Sequence, residues 1–287
     1  MSSLKTLELF GITQNDSDSE RITSQAWVSF FNALQDSNLN LVMLDLNNNN
    51  IDDVGIQLLV RILSNMNLLK CLNLPRNQSV TPAGWQALTG YLQSPNFALE
   101  SLTLDGNNIN DETVIAFTRA LEHNKTLKDL SLYDCYDNDE ETGLITDRAW
   151  EAITTLLCNK TSIMSTYNSN HTLKEVSIYD YTPDETELYL DLNYNEDKAE
   201  VARQKILQTH FPTEDNDSSK MQEILDMDLE MIPAAITWMG RPIHDDWCGT
   251  NVSGLSLLYN LLRRLPDLFD SKEVIRYREV VTSWGSN

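Results

Sequence analysis

Residues 41–63 read LVMLDLNNNNIDDVGIQLLVRIL, and they hold two periodicities back to back. Leu41, Leu44 and Leu46 come first, then a run of asparagines, then Ile51, Gly55, Leu59 and Leu63. The alternation through Leu44 and Leu46 suits a strand, whose successive side chains point to opposite faces. Spacing of four from Ile51 onward suits a helix. The stretch is therefore a strand, an Asn-rich bend and a helix.

The same unit recurs on both sides. Its strand half appears as Leu4, Leu7, Leu9, then as Leu69, Leu72, Leu74, as Leu99, Leu102, Leu104 and as Leu127, Leu130, Leu132, with a weaker sixth copy at Leu173, Val176, Ile178. The helix half follows the other full copies as Ile22, Ala26, Phe30, Leu34, as Val80, Gly84, Leu88, Leu92, as Ile109, Thr113, Phe117, Leu121 and as Ile145, Ala149, Ile153, Leu157. One unit of about 28 residues cannot bury its apolar side alone, so neighbours stack into a solenoid of α/β class. Asn49, Asn77 and Asn107 stand three residues past the last strand leucine. Each amide is expected to bond backbone groups of the bend and of the next coil, which stacking would otherwise bury unsatisfied.

The pattern over roughly residues 4–180 resembles the leucine-rich repeat, and its helix-bearing half is similar to the ribonuclease-inhibitor-like subfamily. That resemblance implies parallel strands on a concave face, helices on the convex side, and binding of other macromolecules through the concave face. A few relatives of this kind activate small GTPases. Cys135 stands where Asn is found in earlier repeats, which the family pattern allows, whereas Tyr181 makes the sixth copy degenerate and terminal. The stretch 159–171 (NKTSIMSTYNSNH) delays the sixth strand and is expected to wrap the end of the array.

Four segments are expected: a repeat array over 1–181, a transition over 182–198, a helical C-terminal module over 199–270 and a tail over 271–287. Leu188, Leu190 and Leu192 alternate like a last partial strand, and 199–211 reads as a helix. Further helices are expected over 221–239 and 255–265. This C-terminal third resembles the module that follows leucine-rich repeats in uncharacterised algal proteins, through ARQKIL at 202–207, WMGRP at 238–242 and GLSLLY at 254–259. That likeness implies a fold and no chemistry. Leu4 opens the first strand almost at Met1, so that strand is expected to lie exposed, to be preceded by missing sequence, or to be covered by another chain.

Residues between the strand leucines define the open face. Glu8, Asp45, Asp105, Asp129, Asp134, Glu175 and Asp180 are its acids, Arg76 its one base, and Phe10, Tyr133 and Tyr179 its aromatic anchors. Two longer insertions follow the first and fifth strands on one rim, with Asp16, Asp18 and Glu20 in one and Asp137, Asp139, Glu140 and Glu141 in the other. Long loops on one rim commonly carry recognition. The second loop lacks the spacing of a calcium loop, so no metal is expected. An acidic protein is acidic on every face, and residues 1–160 contribute −11 of the total −22. The competing reading is an acidic groove that steers and docks a basic protein or peptide.

Composition narrows the partner further. Lys and Arg number 21 against 43 Asp and Glu, which disfavours nucleic acid and anionic membranes. No run of about 18 apolar residues occurs, and the start lacks a secretory signal. The four cysteines, Cys71, Cys135, Cys158 and Cys248, are widely spaced and fit reduced thiols in the cytoplasm. The seven Asn-x-Ser/Thr triplets are accordingly expected to stay unglycosylated. The cluster His244, Asp245, Asp246, Trp247, Cys248 lacks supporting ligands, and residues 249–254 lack the lysine of a phosphate loop. No enzyme and no cofactor is expected. The expected function is non-enzymatic protein recognition, with regulation of a small GTPase, or scaffold assembly through the terminal repeat, as alternatives.

Overall fold

A computed structural model describes residues 4–11, 24–36, 40–133, 145–179 and 181–210. Six strands lie in one parallel sheet in sequence order: β1 (Thr6–Glu8), β2 (Met43–Asp45), β3 (Cys71–Asn73), β4 (Ser101–Thr103), β5 (Asp129–Ser131) and β6 (Glu175–Ser177). Between them run α1 (Ser24–Asp36), α2 (Asp53–Leu63), α3 (Pro82–Leu92), α4 (Asp111–Leu121), α5 (Asp147–Leu157) and the short α6 (Ile163–Tyr167). Then come α7 (Asp184–Leu192) and α8 (Lys198–His210). This is the leucine-rich-repeat architecture of class α/β. By packing, residues 160–167 and 203–210 group apart from the other described residues. Within that smaller group, the Thr166 hydroxyl and His210 Nε2 share a buried 2.8 Å hydrogen bond.

Strand centres pair without slippage, Leu7 with Leu44, Leu72, Leu102, Leu130 and Val176 in turn. From Leu44 onward these centres are buried, as are the leucines that flank them. Backbone bonds between coils run past each three-residue strand, as from Val42 N to Lys5 O before it and from Leu46 N to Asn73 O after it, and the leucine columns pack the coils from inside.

Asparagine closes the bends, but it reaches the preceding coil rather than the following one. The Asn77 amide donates to Leu46 O and Leu74 O at 3.0 Å each. Its Oδ1 accepts from the N–H groups of Asn49 and Ile51 at 3.1 and 3.0 Å. Asn107 repeats the arrangement one coil on, donating to Leu74 O and Leu104 O and accepting from Asn77 N at 2.6 Å. Asn49 donates to Leu9 O at 2.6 Å. All three asparagines are buried. Cys135, the fifth occupant, lies outside the described residues.

A second asparagine ladder at the helix-to-strand bends escapes the repeat pattern. Asn124 accepts from Leu127 N and Thr126 N, and Asn170 accepts in the same way from Leu173 N and Thr172 N. Asn170 also donates back to Leu121 O at 2.8 Å, and Asn193 to Leu173 O at 2.6 Å. Asn124 and Asn170 both head Asn-x-Thr triplets. The amides of Asn77 and Asn170 are buried and committed to backbone partners.

Helix starts are tied to each other as well. Asp52, Thr81, Asn110 and Thr146 cap α2 to α5 with their side-chain oxygens. The Asp53 carboxylate then holds Thr81 of the next coil, accepting from its N–H at 2.7 Å and its hydroxyl at 2.6 Å. Asp111 does the same for Thr146. Gly84 leaves room for this bridge, since a Cβ there would lie 2.5 Å from an Asp53 carboxylate oxygen. Beside that small-residue column, Trp27, Ile56, Trp85, Val114 and Trp150 alternate large with small and are all buried.

Two sequence expectations need correction. In α1 the buried residues are Trp27, Phe31 and Leu34, whereas Ala26 is exposed and Phe30 half-buried. α1 packs on α2, and Trp27, Phe31 and Leu34 are the residues it places in the core. Trp27, Phe30 and Phe31 close the coil as a cluster with centroids 5.2–5.6 Å apart. Leu188, Leu190 and Leu192 belong to a helix, α7, and not to a strand. Thr186, Tyr189, Leu190 and Asn193 are buried at helical spacing, and Asp184, Glu185 and Glu187 favour the helix start.

Asn77→Ala should cost about 3–5 kcal/mol, because it strands two N–H groups and leaves two carbonyls short of a partner. Urea unfolding should show a lower midpoint with unchanged slope; a midpoint within error of wild type would remove the asparagine ladder as the closing interaction.

Candidate functional site

The face opposite the helices carries three rows of side chains. Strand register sets the first as Thr6, Met43, Cys71, Ser101, Asp129 and Glu175, and the second as Glu8, Asp45, Asn73, Thr103, Ser131 and Ser177. A third follows two residues further on, through Phe10, Asn47, Pro75, Asp105, Tyr133 and Tyr179. Bonds such as Arg76 N to Asp105 O at 2.7 Å and Gly106 N to Tyr133 O at 2.9 Å keep it in step.

The predicted acids divide into two kinds. Asp45 is 9% exposed and accepts from Asn47 N and the Asn73 amide at 3.0 and 2.9 Å. Asp105 accepts from the Ser131 hydroxyl at 2.6 Å and from Tyr133 N at 2.9 Å. These two carboxylates serve the framework. Glu8 and Glu175 are exposed, and Asp129 is half-buried beside Glu175 on the neighbouring strand.

Asp129 and Glu175 form the most polarised part of the face. Burial, and then repulsion from Glu175, raise the Asp129 carboxyl above its ordinary value, against a smaller pull from Lys128 and Lys174. Glu175 accepts from the Tyr194 hydroxyl at 2.5 Å, which pushes that phenol up to about 12. Tyr194, 49% exposed, also lies under the Lys174 ammonium, 5.4 Å from the ring centroid. Sequence reading missed Tyr194 because it stands beyond α7, outside any repeat column.

The aromatic anchors differ among themselves. Phe10 is 56% exposed, while Tyr133 and Tyr179 are half-buried, and the Tyr179 hydroxyl donates to Ile145 O at 2.8 Å. Arg76 is exposed and holds a left-handed backbone at φ 56°. The matching bend positions are Gly11, Asn48 and Gly106 at φ 53°, 56° and 65°. Glycine and asparagine adopt that conformation readily, whereas arginine does so at a cost of about 1–2 kcal/mol. Asp134 and Asp180, with the rim acids Asp16, Asp18, Glu20, Asp137, Asp139, Glu140 and Glu141, lie outside the described residues.

A charged edge borders the face and was not foreseen. Lys5, Lys70, Glu100, Lys128 and Lys174 each occupy the residue just before a strand. Glu100 sits between Lys70 at 3.1 Å and Lys128 at 2.7 Å, and the two ammonium groups hold its carboxyl below the usual range. Lys174 pairs with Glu196 at 2.9 Å. The signal was available as the residue following the first leucine of each repeat. Among the described residues no three His, Cys, Asp or Glu side chains could share a metal ion, and no helix is long and apolar enough to cross a membrane. Residues 244–254 lie outside the described set.

A carboxyl with a raised value is stabilised by its proton, so its ionised form opposes folding at neutral pH. Asp129→Asn should therefore melt about 1–2 °C above wild type near neutral pH, and the gain should shrink as acid protonates the native carboxyl. Thermal melts across pH check this, and a lower melting point at every pH would contradict it.

No known family model and no curated protein matches the chain. Among solved structures, the chain is similar to the actin-binding site 2 of leiomodin-1, at 17% identity over 62% of this chain and 92% of that one, with a TM-score of 0.45. It is similar to the tropomodulin C-terminal domain of Caenorhabditis elegans, at 16% identity over 63% of this chain and 98% of that one, with a TM-score of 0.44.

Proposed function

We propose that the open sheet face is a non-enzymatic recognition surface for a basic segment of another protein. The supporting observation is the in-register pair Asp129 and Glu175, whose mutual repulsion an incoming cation would relieve. Glu8 adds a further exposed carboxylate on the first strand, and Phe10, Tyr133 and Tyr179 offer apolar contact along the third row. Long-range attraction by a chain of net charge −22 would steer the partner, and the aromatic row would fix it. Of the acids named from sequence, Asp45 and Asp105 support this surface without facing the partner, because their oxygens already hold the coils together.

The reading includes a ribonuclease-inhibitor-like array, supported by coils that repeat every 28–30 residues with 11-residue helices. It also includes a reducing, cytoplasmic setting, which the half-buried Cys71 and the buried Cys158 thiols suit. Regulation of a small GTPase has no observation on this face in its favour. Assembly through β1 has one: that strand ends the sheet, with Leu4 47% exposed beside it.

The test is titration of a synthetic Arg/Lys-rich peptide bearing one Tyr, followed by fluorescence at about 50 and 300 mM salt. Affinity should fall about tenfold between the two salts. Asp129→Lys with Glu175→Lys should abolish binding. Glu122→Lys with Glu151→Lys, an equal charge change at the exposed C-cap of α4 and an exposed position of α5, should reduce it less than threefold. Equal losses from the two pairs would reduce the effect to net charge and overturn the site. Tyr133→Ala with Tyr179→Ala should weaken binding at both salts.

A further inference from the structure

Arg76 is the one cation among the open-face positions, and the fold accepts a strained backbone to keep it there. The same bend in the neighbouring coils carries Asn48 and Gly106, which take the left-handed conformation without difficulty. Among the described residues nothing compensates: Arg76 is exposed, and its guanidinium makes no ion pair or hydrogen bond with them. Asp105, on the row beside it, already has Ser131 and Tyr133 as donors. The arginine stem is accommodated nonetheless: a Cβ on Gly106 would lie 3.3 Å from Arg76 Cγ, so the stem crosses that glycine. Local strain with no return among the described residues is characteristic of residues kept for a ligand.

We propose that Arg76 receives a side-chain carboxylate carried within the basic segment that docks on this face. This rests on the recognition reading above and sharpens it. A carboxylate matches the guanidinium fork with two parallel hydrogen bonds. A phosphate would bring nearly twice the charge into a field already made negative by Asp45, Asp105 and Asp129. The acid belongs inside the segment rather than at its end, because Arg76 lies on the third of six coils, between Phe10 and Glu8 on the first and Asp129 and Tyr133 on the fifth. A wholly basic segment would meet like charge at this point, so Arg76 would set both register and specificity.

The test uses three amidated or free synthetic peptides of equal length: an amidated all-basic one with a Tyr, the same with Glu at its centre, and the all-basic one with a free C-terminal carboxylate. Wild type should bind the central-Glu peptide at least fivefold more tightly than the all-basic peptide. Arg76→Asn, which suits the bend, should erase or invert that preference while raising the melting temperature, and Arg76→Lys should keep only part of it. An unchanged preference in Arg76→Asn, or none in wild type, overturns the assignment. If binding persists without preference and is lost in Asp129→Lys with Glu175→Lys, the basic-partner reading survives and the Arg76 assignment alone fails. Binding of no peptide by wild type overturns both. Preference confined to the free C-terminus overturns the side-chain source.

Discussion

Stacking short coils buries the backbone where each coil turns, and those polar groups must find partners away from water. Everything else in the array depends on how that is met. Backbone bonds carry the register along and just past each strand, and an asparagine that bonds two coils at once locks it at the bend. The amide suits the task because it donates and accepts at opposite ends of one short side chain. In Asn77 both ends are engaged, with carbonyls on one side and N–H groups on the other. The coil period follows from that bond: bends must arrive in step, so strand and helix lengths vary little from β2 to α5.

The same shortage of partners shapes the exposed face. Ser131 and Tyr133 need an acceptor between coils, and Asp105 supplies it; Asn73 needs one, and Asp45 supplies it. A carboxylate drawn into such bonds is less available to a visitor. On the proposed reading, recognition falls to the acids at the ends of the rows, where the framework demands least. Glu8 lies on the first strand and Asp129 and Glu175 on the last two. The charged edge before the strands is largely self-satisfied through Glu100 and Glu196, which keeps its lysines from cancelling the acids beside them.

Leucine columns were legible because burial on one side of a short strand leaves no choice of residue, and the pairing of Leu7 through Val176 follows them directly. Asn49, Asn77 and Asn107 were legible for the same reason. Asn124, Asn170 and Asn193 were not: Asn124 and Asn170 both stand three residues before the first leucine of a strand, but Met66 holds that place before Leu69, and Asn193 precedes a helix. The α1 row was misplaced because the spacing of four pointed to Ala26 and Phe30, whereas the helix buries Trp27 and Phe31, one residue further on. Alternating leucines in α7 imitated a strand, although Thr186, Tyr189, Leu190 and Asn193 carried the deciding spacing, with two polar members concealing it. On the face, charge could be read but its employment could not: Asp45 and Glu8 occupy one row and differ only in who already holds them. The rim acids and residues 211–287, with the helices expected over 221–239 and 255–265, fall outside the described residues.

The asparagine ladder also gives the chain an arrow in time. A coil's own bend is completed by the amide of the coil after it: Asn49 and Ile51 wait for Asn77, and Asn77 waits for Asn107. On a ribosome, where synthesis runs from the N-terminus, each new coil therefore leaves the exit tunnel one asparagine short of closure. At its growing end the nascent array is a stack with an open bend. Its growing tip, and no interior coil, is the part that needs shelter until the next thirty or so residues emerge.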